Sequence, residues 1–354
     1  MEKTIIVAIL LAAFLASPAI ADREYSYTEN DTFDGDRIST IKIDMPRGEI
    51  ELTGSTSNQI EIDLKNVIYA ESQDDADDIN KDCVYKAEVT GDRLTVTVDL
   101  PRYTERKGVI KRLLSGDWDD EINSYLRIKI PDGKNVEVKS SSADIEVTEL
   151  TVNLDVWASS TDVRMKNTDG DVSFDLSSGD VDIIHHKGNV NIKGNSSDLD
   201  FEAIEGDLDI RTSSGDGSLD NVKGSVSVYA SSGDYKLYDI DGRLDVRTSS
   251  GDIYATGVSG SIRAESSSGD IRLKELTSKE GDFDIESSSG DVTMEITDDF
   301  EGSISLKSNS GSINSRLSGD IESLSDSKLR GSIGNGDGRL RVSTISGDIR
   351  IDRF

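Results

Sequence analysis

Apolar residues recur along most of this chain at a fixed spacing of nine. A register that starts at Lys134 and ends at Gly269 contains sixteen consecutive positions without an insertion, and eleven of them are glycine. The residues two and four places after each position are apolar in 31 of 32 cases, the exception being Gly217. Apolar residues two apart, with polar residues between them, are typical of a half-buried β-strand. The pattern therefore predicts short strands separated by turns, and glycine permits the tight bend at each turn.

Two kinds of turn alternate, so the full repeat is eighteen residues long. One kind is polar and reads Ser-Ser-Gly-Asp, as at 213–216 and 249–252, whereas the other places an aliphatic residue two before the glycine, as at Ile204 and Ile240. A single repeat cannot bury its apolar face alone, so successive repeats must stack. Parallel crossovers are overwhelmingly right-handed. We therefore predict an all-β fold whose residues 134–354 form a right-handed, single-stranded parallel β-helix (a β-solenoid) with about 18 residues per coil.

Two other solenoids with short repeats do not fit the sequence. The calcium-binding nonapeptide β-roll requires an aspartate two residues after a glycine, whereas here aspartate follows glycine directly, as in Gly215-Asp216. A left-handed hexapeptide helix would repeat every six residues. The eighteen-residue spacing favours the β-helix over both.

The segment 38–133 lacks the strict register but still alternates as strands do. We predict that it is an irregular β-rich capping region, because the end of a β-helix otherwise exposes unpaired strand groups. Within it, 72–81 is predicted to form a short helix with Ser72 as its N-cap and acidic residues in its first turn. Residues 101–122 resemble the repeats least and are predicted to form a loop.

The start of the chain predicts export. An apolar run from Ile5 to Leu15 precedes Ala19-Ile20-Ala21, the small-x-small pattern at which a signal peptidase cleaves. We expect a signal peptide at 1–21 and a flexible N-terminal segment at 22–37. The apolar run is shorter than the roughly 20 residues that a membrane span needs. The mature chain is thus expected to lack a membrane span and to reside in the periplasm, outside the cell or on the cell surface.

Net charge narrows the choice of partners. The chain has 69 acidic against 39 basic residues, a net charge of −30. Such a surface repels nucleic acid, whereas cations and basic proteins are attracted to it. The single cysteine, Cys83, rules out a disulfide within the chain.

Eight aspartates stand eighteen residues apart, from Asp144 to Asp270. In a β-helix they would stack about 4.8 Å from one another, and two unit charges at that distance repel by about 0.9 kcal/mol even in water. Either backbone N–H groups of the same turn offset this repulsion, or the column binds divalent cations. The candidate metal ligands are Asp180, Asp216, Asp234, Asp252 and Asp270. No other cofactor is predicted.

The histidines do not suggest catalysis. His186 takes the corner position that Ile204 and Ile240 hold in later repeats, so we expect a core residue with one hydrogen bond, and His185 beside it should face solvent. Two adjacent histidines cannot assemble a zinc cage or a catalytic triad.

A glycan-active lyase or hydrolase on a β-helix remains an alternative. Such enzymes combine carboxylates with a lysine or arginine in a cleft. The repeats between 134 and 270 carry no insertions that could wall a cleft. We predict no catalytic residues, and hence a protein that is not an enzyme.

A basic and apolar stretch within 101–122 is a candidate docking element. It is either a loop or a short amphipathic helix folded against the β-helix, or a segment that contacts a partner, because loops carry binding more often than scaffolds do. Its candidate residues are Arg106, Lys107, Ile110, Lys111, Arg112, Leu114 and Trp118.

Three motifs together resemble the bacterial putative-adhesin family of β-strand-repeat proteins. They are the Ser-Ser-Gly-Asp repeats, the segment Leu126-Arg-Ile-Lys-Ile-Pro131, and the acidic stretch Glu71–Asp82 that precedes a Gly-Asp-Arg-Leu-Thr-Val strand. The resemblance spans 38–354. It implies an exported or surface β-helix with a binding role and no catalytic residues.

The expected function is therefore that of an adhesin-like binding or spacer protein of the cell envelope or extracellular space. Its partner would be a protein or a glycan. A self-assembling envelope scaffold is the further alternative.

Overall fold

The computed structural model describes residues 23–101 and 122–354. Within these ranges the chain is built almost wholly of β-strands and divides into two compact units, the first ending at Val163 and the second beginning at Arg164. No helix in the described ranges is long and apolar enough to cross a membrane.

Unit 1 contains nine strands and two helical segments. The strands are β1 (Arg23–Asp34), β2 (Thr40–Asp44), β3 (Arg47–Ser55), β4 (Gln59–Ala70), β5 (Val84–Thr90), β6 (Arg93–Asp99), β7 (Ile122–Pro131), β8 (Lys134–Ser140) and β9 (Ser142–Ser160). The helices are a 3-10 turn at Gly35–Arg37 and α1 at Gln73–Asp82.

The first coil of unit 1 lies out of chain order. Strand β2 pairs in parallel with both β6 and β8, so that Ile41 lies opposite Leu94 on one side and Val136 on the other. Strand β3 pairs in parallel with β7 and β9 in the same way. The segment predicted to be a cap therefore also contains parallel coils. Its strands β2 and β3 each lie between two parallel neighbours, as the strands of a coil do.

Antiparallel strands flank these coils. Strand β5 pairs antiparallel with β6, β4 with β7, and β1 with β4. Because β1 pairs with β4 along its whole length, from Arg23 to Asp34, the expectation of a flexible segment over 22–37 is wrong for these residues. The predicted helix is present, and Ser72 Oγ accepts a hydrogen bond from the N–H of Asp75 at 3.2 Å as its N-cap.

Unit 2 contains the remaining strands. They are β10 (Val163–Asp169), β11 (Val172–Ser178), β12 (Val181–Lys187), β13 (Val190–Ser196), β14 (Leu199–Glu205), β15 (Leu208–Ser214), β16 (Gly217–Lys223), β17 (Val226–Ser232), β18 (Tyr235–Asp241), β19 (Leu244–Ser250), β20 (Ile253–Thr256), β21 (Ile262–Ser266), β22 (Ile271–Leu276), β23 (Asp282–Ser287), β24 (Val292–Ile296), β25 (Gly302–Ser308), β26 (Ile313–Ser315), β27 (Asp320–Ser325), β28 (Lys328–Ile333), β29 (Gly338–Thr344) and β30 (Ile349–Arg353).

Alternate strands of unit 2 form two parallel sheets. In the sheet that we call the groove sheet, β11 pairs with β13 and β13 with β15, so that Val172 lies opposite Val190 and Val190 opposite Leu208. The even-numbered strands from β12 to β24 pair in the same way in the second sheet. The pairings up to β19–β21 and β20–β22 join residues eighteen apart, whereas β21–β23 and β22–β24 join residues twenty-one apart. The inward residues, such as Ile192 and Ile210, are fully buried between the sheets.

The last coil of unit 2 is inserted out of chain order. Strand β29 lies between β23 and β25, with Leu340 opposite both Phe283 and Ile304. Strand β30 lies between β24 and β26 in the same way. Antiparallel β28 and β27 follow β25 in the groove sheet. The C-terminal strands thus complete a coil in the body of unit 2 rather than at its end.

The chain turns in different ways at the two corners of each coil. At the polar corner, glycine is required by close packing: a Cβ on Gly233 would lie 2.0 Å from the carbonyl oxygen of Gly215 in the preceding coil. At the aliphatic corner, non-glycine residues adopt left-handed backbone, with φ of 54° at His185 and 57° at Ala203. The sequence predicted the bends. It did not predict that the residue before each aliphatic corner residue adopts left-handed backbone.

Candidate functional site

The polar corner of unit 2 carries a column of inward hydroxyl groups next to the Ser-Ser-Gly-Asp turns. Each hydroxyl follows the two apolar inward residues of a groove-sheet strand and is buried. The members are Thr212, Thr248, Ser266, Ser287, Ser308 and Thr344, with Ala230 between the first two. The alternation of each strand points this side chain inward at the start of the turn. A hydroxyl suits this position because the backbone groups of the turn need hydrogen-bond partners.

Most of these hydroxyls hold the turn together. Thr212 Oγ1 donates to the carbonyl oxygen of Ser214 at 2.7 Å. Ser266 Oγ accepts from the N–H of Gly269 at 2.9 Å, and Ser308 Oγ donates to the carbonyl oxygen of Gly347 at 2.9 Å. Thr248 differs, because its Oγ1 is buried and has no hydrogen-bond partner among the described residues. The side chain as a whole is only 6% exposed.

A groove of about 610 Å³ runs along this corner. Its lining includes Thr212, Thr248, Ser266, Ser287 and Thr344 of the hydroxyl column, together with the exposed Ser231, Ser249 and Ser267 and the half-buried Ser288 of successive turns. Side chains from the outward face of the groove sheet form the other wall. They are Tyr229, Arg247, Glu265, Glu286 and Lys307. We call this feature the hydroxyl groove.

Arg247 organises the outward wall of the groove. Its guanidinium donates two hydrogen bonds to the carboxylate of Asp245, at 3.0 and 3.1 Å, and stacks over the ring of Tyr229 at 5.0 Å. Arg211 lies over the same ring at 5.9 Å. Bidentate pairing and stacking fix the guanidinium geometry. The tyrosine ring is thereby held between two cations.

The carboxylates of the groove are paired with arginines. Arg263 Nε donates to Glu265 Oε1 at 2.6 Å, and Arg341 Nη2 lies 3.0 Å from Glu286 Oε1. Each of these two groove carboxylates therefore has an arginine partner on the outward face of the groove sheet.

The predicted aspartate column is present, but its carboxylates bond differently from the expectation. Asp216 Oδ1 accepts the N–H of Asp234 at 2.8 Å, and Asp234 Oδ1 accepts the N–H of Asp252 at 2.8 Å. The same bond joins Asp252 to Asp270. Each carboxylate thus satisfies the next coil's backbone rather than its own turn. The column links the coils along the stack.

The candidate metal ligands divide between two environments. Asp180, Asp216 and Asp234 line one depression of about 260 Å³ in the second sheet. Asp252 and Asp270 face Arg272, whose guanidinium nitrogens lie 3.4 and 2.6 Å from their carboxylates. Across residues 23–101 and 122–354, no group of three or more His, Cys, Asp or Glu side chains is arranged to hold a metal ion.

The histidine pair lies at an aliphatic corner, with His186 buried and His185 exposed. His186 Nδ1 and Thr168 Oγ1 are 2.9 Å apart, and His186 Nε2 has no partner in the described parts of the chain. Burial lowers the pKa of His186 below its ordinary 6.5, although the nearby Asp169 opposes this shift. His186 is thus a neutral core residue with one hydrogen bond.

Sequence reasoning did not find the groove. The residues Arg211, Tyr229 and Arg247 stand eighteen apart at one outward position, which is the signal that could have predicted their contact. The candidate docking residues Arg106, Lys107, Ile110, Lys111, Arg112, Leu114 and Trp118 lie outside the described residues.

Comparison with known proteins identifies a family. The model of the Toastrack DUF4097 family matches residues 38–241 and, in a second, overlapping match, residues 185–352. No curated protein is detectably similar to the chain.

Solved structures align over most of the chain at low identity. A "putative cell adhesion protein" from Clostridium sporogenes is 9% identical, with 93% of this chain and 100% of that chain covered and a TM-score of 0.21. A "putative lipid binding protein" from Parabacteroides distasonis is 12% identical, with coverage of 92% and 96% and a TM-score of 0.30. A "putative adhesin" from Bacteroides fragilis is 13% identical, with coverage of 92% and 97% and a TM-score of 0.26.

Proposed function

The chain belongs to the Toastrack DUF4097 family, and we propose that it is an exported, adhesin-like protein that is not an enzyme. In this proposal it binds a component of the cell envelope or the extracellular space through the hydroxyl groove of unit 2. The observation that carries the proposal is the groove itself, which has a volume of about 610 Å³ and is lined by polar residues from successive coils.

The proposed scaffold is a right-handed β-helix with an eighteen-residue coil. Strands at this repeat place equivalent side chains about 4.8 Å apart. Because the inward residues are tightly packed, the outward rows are held rigid, and a rigid surface loses little conformational entropy when a ligand binds. A long row of polar side chains on such a scaffold suits recognition of an extended partner.

The chemistry of the groove favours binding over catalysis. Catalysis by carboxylates needs a pair of acids in which one is free to protonate a leaving group. Here Glu265 is bonded to Arg263, and Glu286 is paired with Arg341. Arg247 is likewise engaged by Asp245. These charged groups are arranged to stabilise one another and the shape of the wall.

The proposal is tested by blocking the groove. The mature chain, residues 22–354, is passed over a panel of immobilised envelope and extracellular proteins and glycans. The variant Ser249→Trp/Ser267→Trp fills the groove with exposed indole rings, while Ser177→Trp places the same ring on a turn that does not line it. We expect saturable binding to at least one component, lost in the double variant and kept in the control.

Two results would contradict the proposal. One is that no component of the panel binds. The other is that binding survives in the double variant, which would place the contact elsewhere. Circular dichroism and melting temperature check that both variants fold, since all three serines are exposed.

A self-assembling scaffold is the second candidate, and strand β5 favours it. Among the described residues β5 pairs only with β6, so one of its edges is open, and Val84 and Val89 on it are 39% and 46% exposed. An exposed apolar edge strand can pair with another chain. Sedimentation velocity on the mature chain and on Val84→Lys/Val89→Lys separates the two candidates. Concentration-dependent growth that the lysine variant loses would support the scaffold.

A further inference from the structure

We infer that the hydroxyl groove takes an extended, uncharged glycan. This inference rests on the proposed binding function and names the class of its ligand. It is carried by the floor, the rim and the charge balance of the groove.

The floor of the groove contains one hydroxyl that the fold leaves without a partner. Thr248 Oγ1 is buried, lines the groove, and has no hydrogen-bond partner among the described residues, whereas Thr212 and Ser266 in the same column are bonded within the fold. A buried polar group without a partner is destabilising. Because Thr248 Oγ1 itself has almost no exposed surface, a ligand hydroxyl would satisfy it only after the side chain rotates toward the groove. The next position of the column toward Thr212 is Ala230, which also lines the groove and carries no hydroxyl.

The rim of the groove offers hydroxyl and amide groups in regular steps. Ser231, Ser249, Ser267 and Ser288 occupy the same place in successive turns. The inserted coil places Ile345 there, and Asn309 takes that place in the coil beyond it. Hydroxyl and amide groups both donate and accept hydrogen bonds. The hydroxyls of a sugar do the same, so a polysaccharide that lies along the stack could bond to several coils at once.

The length of the groove suits a chain of several sugars. Its lining extends from the coil of Thr212 to the coil of Asn309 and includes the inserted C-terminal coil of Ser343 and Thr344. Seven coils at the strand spacing extend over about 29 Å. A single small molecule would occupy only a fraction of that distance.

The charge balance of the groove favours an uncharged ligand. The chain has a net charge of −30, but the lining has two cationic groups, Arg247 and Lys307, and two anionic groups, Glu265 and Glu286. Arg247 is already engaged by Asp245. The two signs balance within the lining, so neither an anionic nor a cationic polymer gains net electrostatic attraction from the groove.

A peptide fits the groove less well than a glycan. Protein interfaces centre on buried aromatic and apolar anchors. The aromatic side chain of the groove, Tyr229, is stacked between Arg247 and Arg211. Apart from the exposed Ile345, the lining is otherwise dominated by serine and threonine. The groove offers hydrogen bonds in place of an apolar pocket.

Calorimetry with defined probes tests the inference. The mature chain is titrated with three uncharged hexasaccharides, cellohexaose, maltohexaose and chitohexaose, and with hexagalacturonate and hexalysine as charged comparators. We expect at least one uncharged probe to bind and to compete with the component captured in the panel experiment. The charged probes should bind more weakly in the groove, as judged by their failure to compete.

The variant Thr248→Val reports on the floor. It should weaken binding of the uncharged probe roughly threefold to tenfold, as expected for one lost hydrogen bond, without lowering the melting temperature. The matched control is Thr161→Val, because Thr161 Oγ1 is also buried and lacks a partner among the described residues, but does not line the groove. The control should leave the affinity unchanged.

The outcomes separate the ligand class from the binding function. If a panel component needs the groove but no uncharged hexasaccharide binds, or if a charged probe or a protein occupies it, the glycan assignment is wrong and the binding function stands. If Thr248→Val binds as the wild type does, the floor hydroxyl has no part in recognition and the inference fails. If nothing depends on the groove, both proposals fail.

Discussion

Tyr235 lies with its ring against Gly217 of the preceding coil. A Cβ at position 217 would lie 2.5 Å from Tyr235 Cδ1, closer than real carbon contacts allow. The two residues are opposite each other in the parallel pairing of β16 with β18. Gly217 is the single exception to the apolar pattern of the uninterrupted repeats, and the large ring beside it fills the space that its missing side chain leaves.

We expect Gly217→Val to destabilise the protein by about 1–3 kcal/mol, the usual cost of overpacking a core. In the background of Tyr235→Leu, which removes the obstructing ring, the same substitution should cost much less. Urea denaturation of the two single variants and the double variant measures the coupling between the positions. Additive effects would show that the two side chains do not compete for the same space.

The aspartate column predicts a difference between amide and methyl substitutions. Asp234→Asn keeps an oxygen that can accept the N–H of Asp252, and Asn189 already accepts the N–H of Asp207 at 3.1 Å at the other glycine turn. We expect Asp234→Asn to be neutral or stabilising, because it also relieves repulsion within the column. Asp234→Ala should cost about 1 kcal/mol through loss of the bond. Melting temperatures that rank alanine above asparagine would contradict this account of the column.

Calcium should have little specific effect on stability. The column's carboxylates accept backbone N–H groups of the following coil, which offsets the charge without a cation. We expect millimolar calcium to shift the melting temperature no more than sodium of equal ionic strength, since screening alone stabilises an acidic chain. If calcium raised it by many degrees and Asp216→Asn/Asp234→Asn/Asp252→Asn abolished the rise, bound cations would hold the column together.

The left-handed corner at Ala203 predicts a stabilising substitution. Its φ is 57°, a conformation that is unfavourable for an alanine side chain by about 1–2 kcal/mol but not for glycine. Ala203→Gly should therefore stabilise the protein. The gain in unfolding free energy is reduced by the extra conformational entropy that glycine gives the unfolded chain. The reverse change at the equivalent position, Gly257→Ala, should destabilise it, since φ there is 72° and a Cβ would meet the Asp239 side chain. Equal unfolding free energies for all three proteins would be inconsistent with strain at this corner.

The buried His186 predicts a pH dependence. Its folded-state pKa is lowered by burial, so the unfolded chain binds more protons than the folded chain as the pH falls below about 6.5. Stability contributed by the neutral imidazole is therefore present above that pH and lost as the pH falls through the folded pKa. The variant Thr168→Val/His186→Ile, which removes both partners of the buried bond, should show a smaller loss of stability between pH 7.5 and 5 than the wild type. The exposed His185→Asn is the control, and its profile should follow the wild type.

The sequence by itself determined the strands and their inward faces. The spacing of nine and the alternation of polar with apolar residues identify residues such as Ile210 and Val228 as core, and both are fully buried. The N-cap at Ser72 could also be predicted from the sequence, because the start of a helix depends on residues only three apart. These features depend on residues close together in the chain, so they can be predicted from the sequence alone.

The tertiary structure alone decided which coil lies beside which. The strands β29 and β30 carry the same pattern as the other coils, yet they insert between strands that precede them in the chain. Every coil presents the same backbone hydrogen-bonding edge to its neighbours, so the repeat specifies a coil but not the coil's place in the stack. The hydroxyl groove has the same origin. Arg247, Lys307 and Thr344 line one surface because the stack brings them together, and their separation in the sequence gives no sign of it.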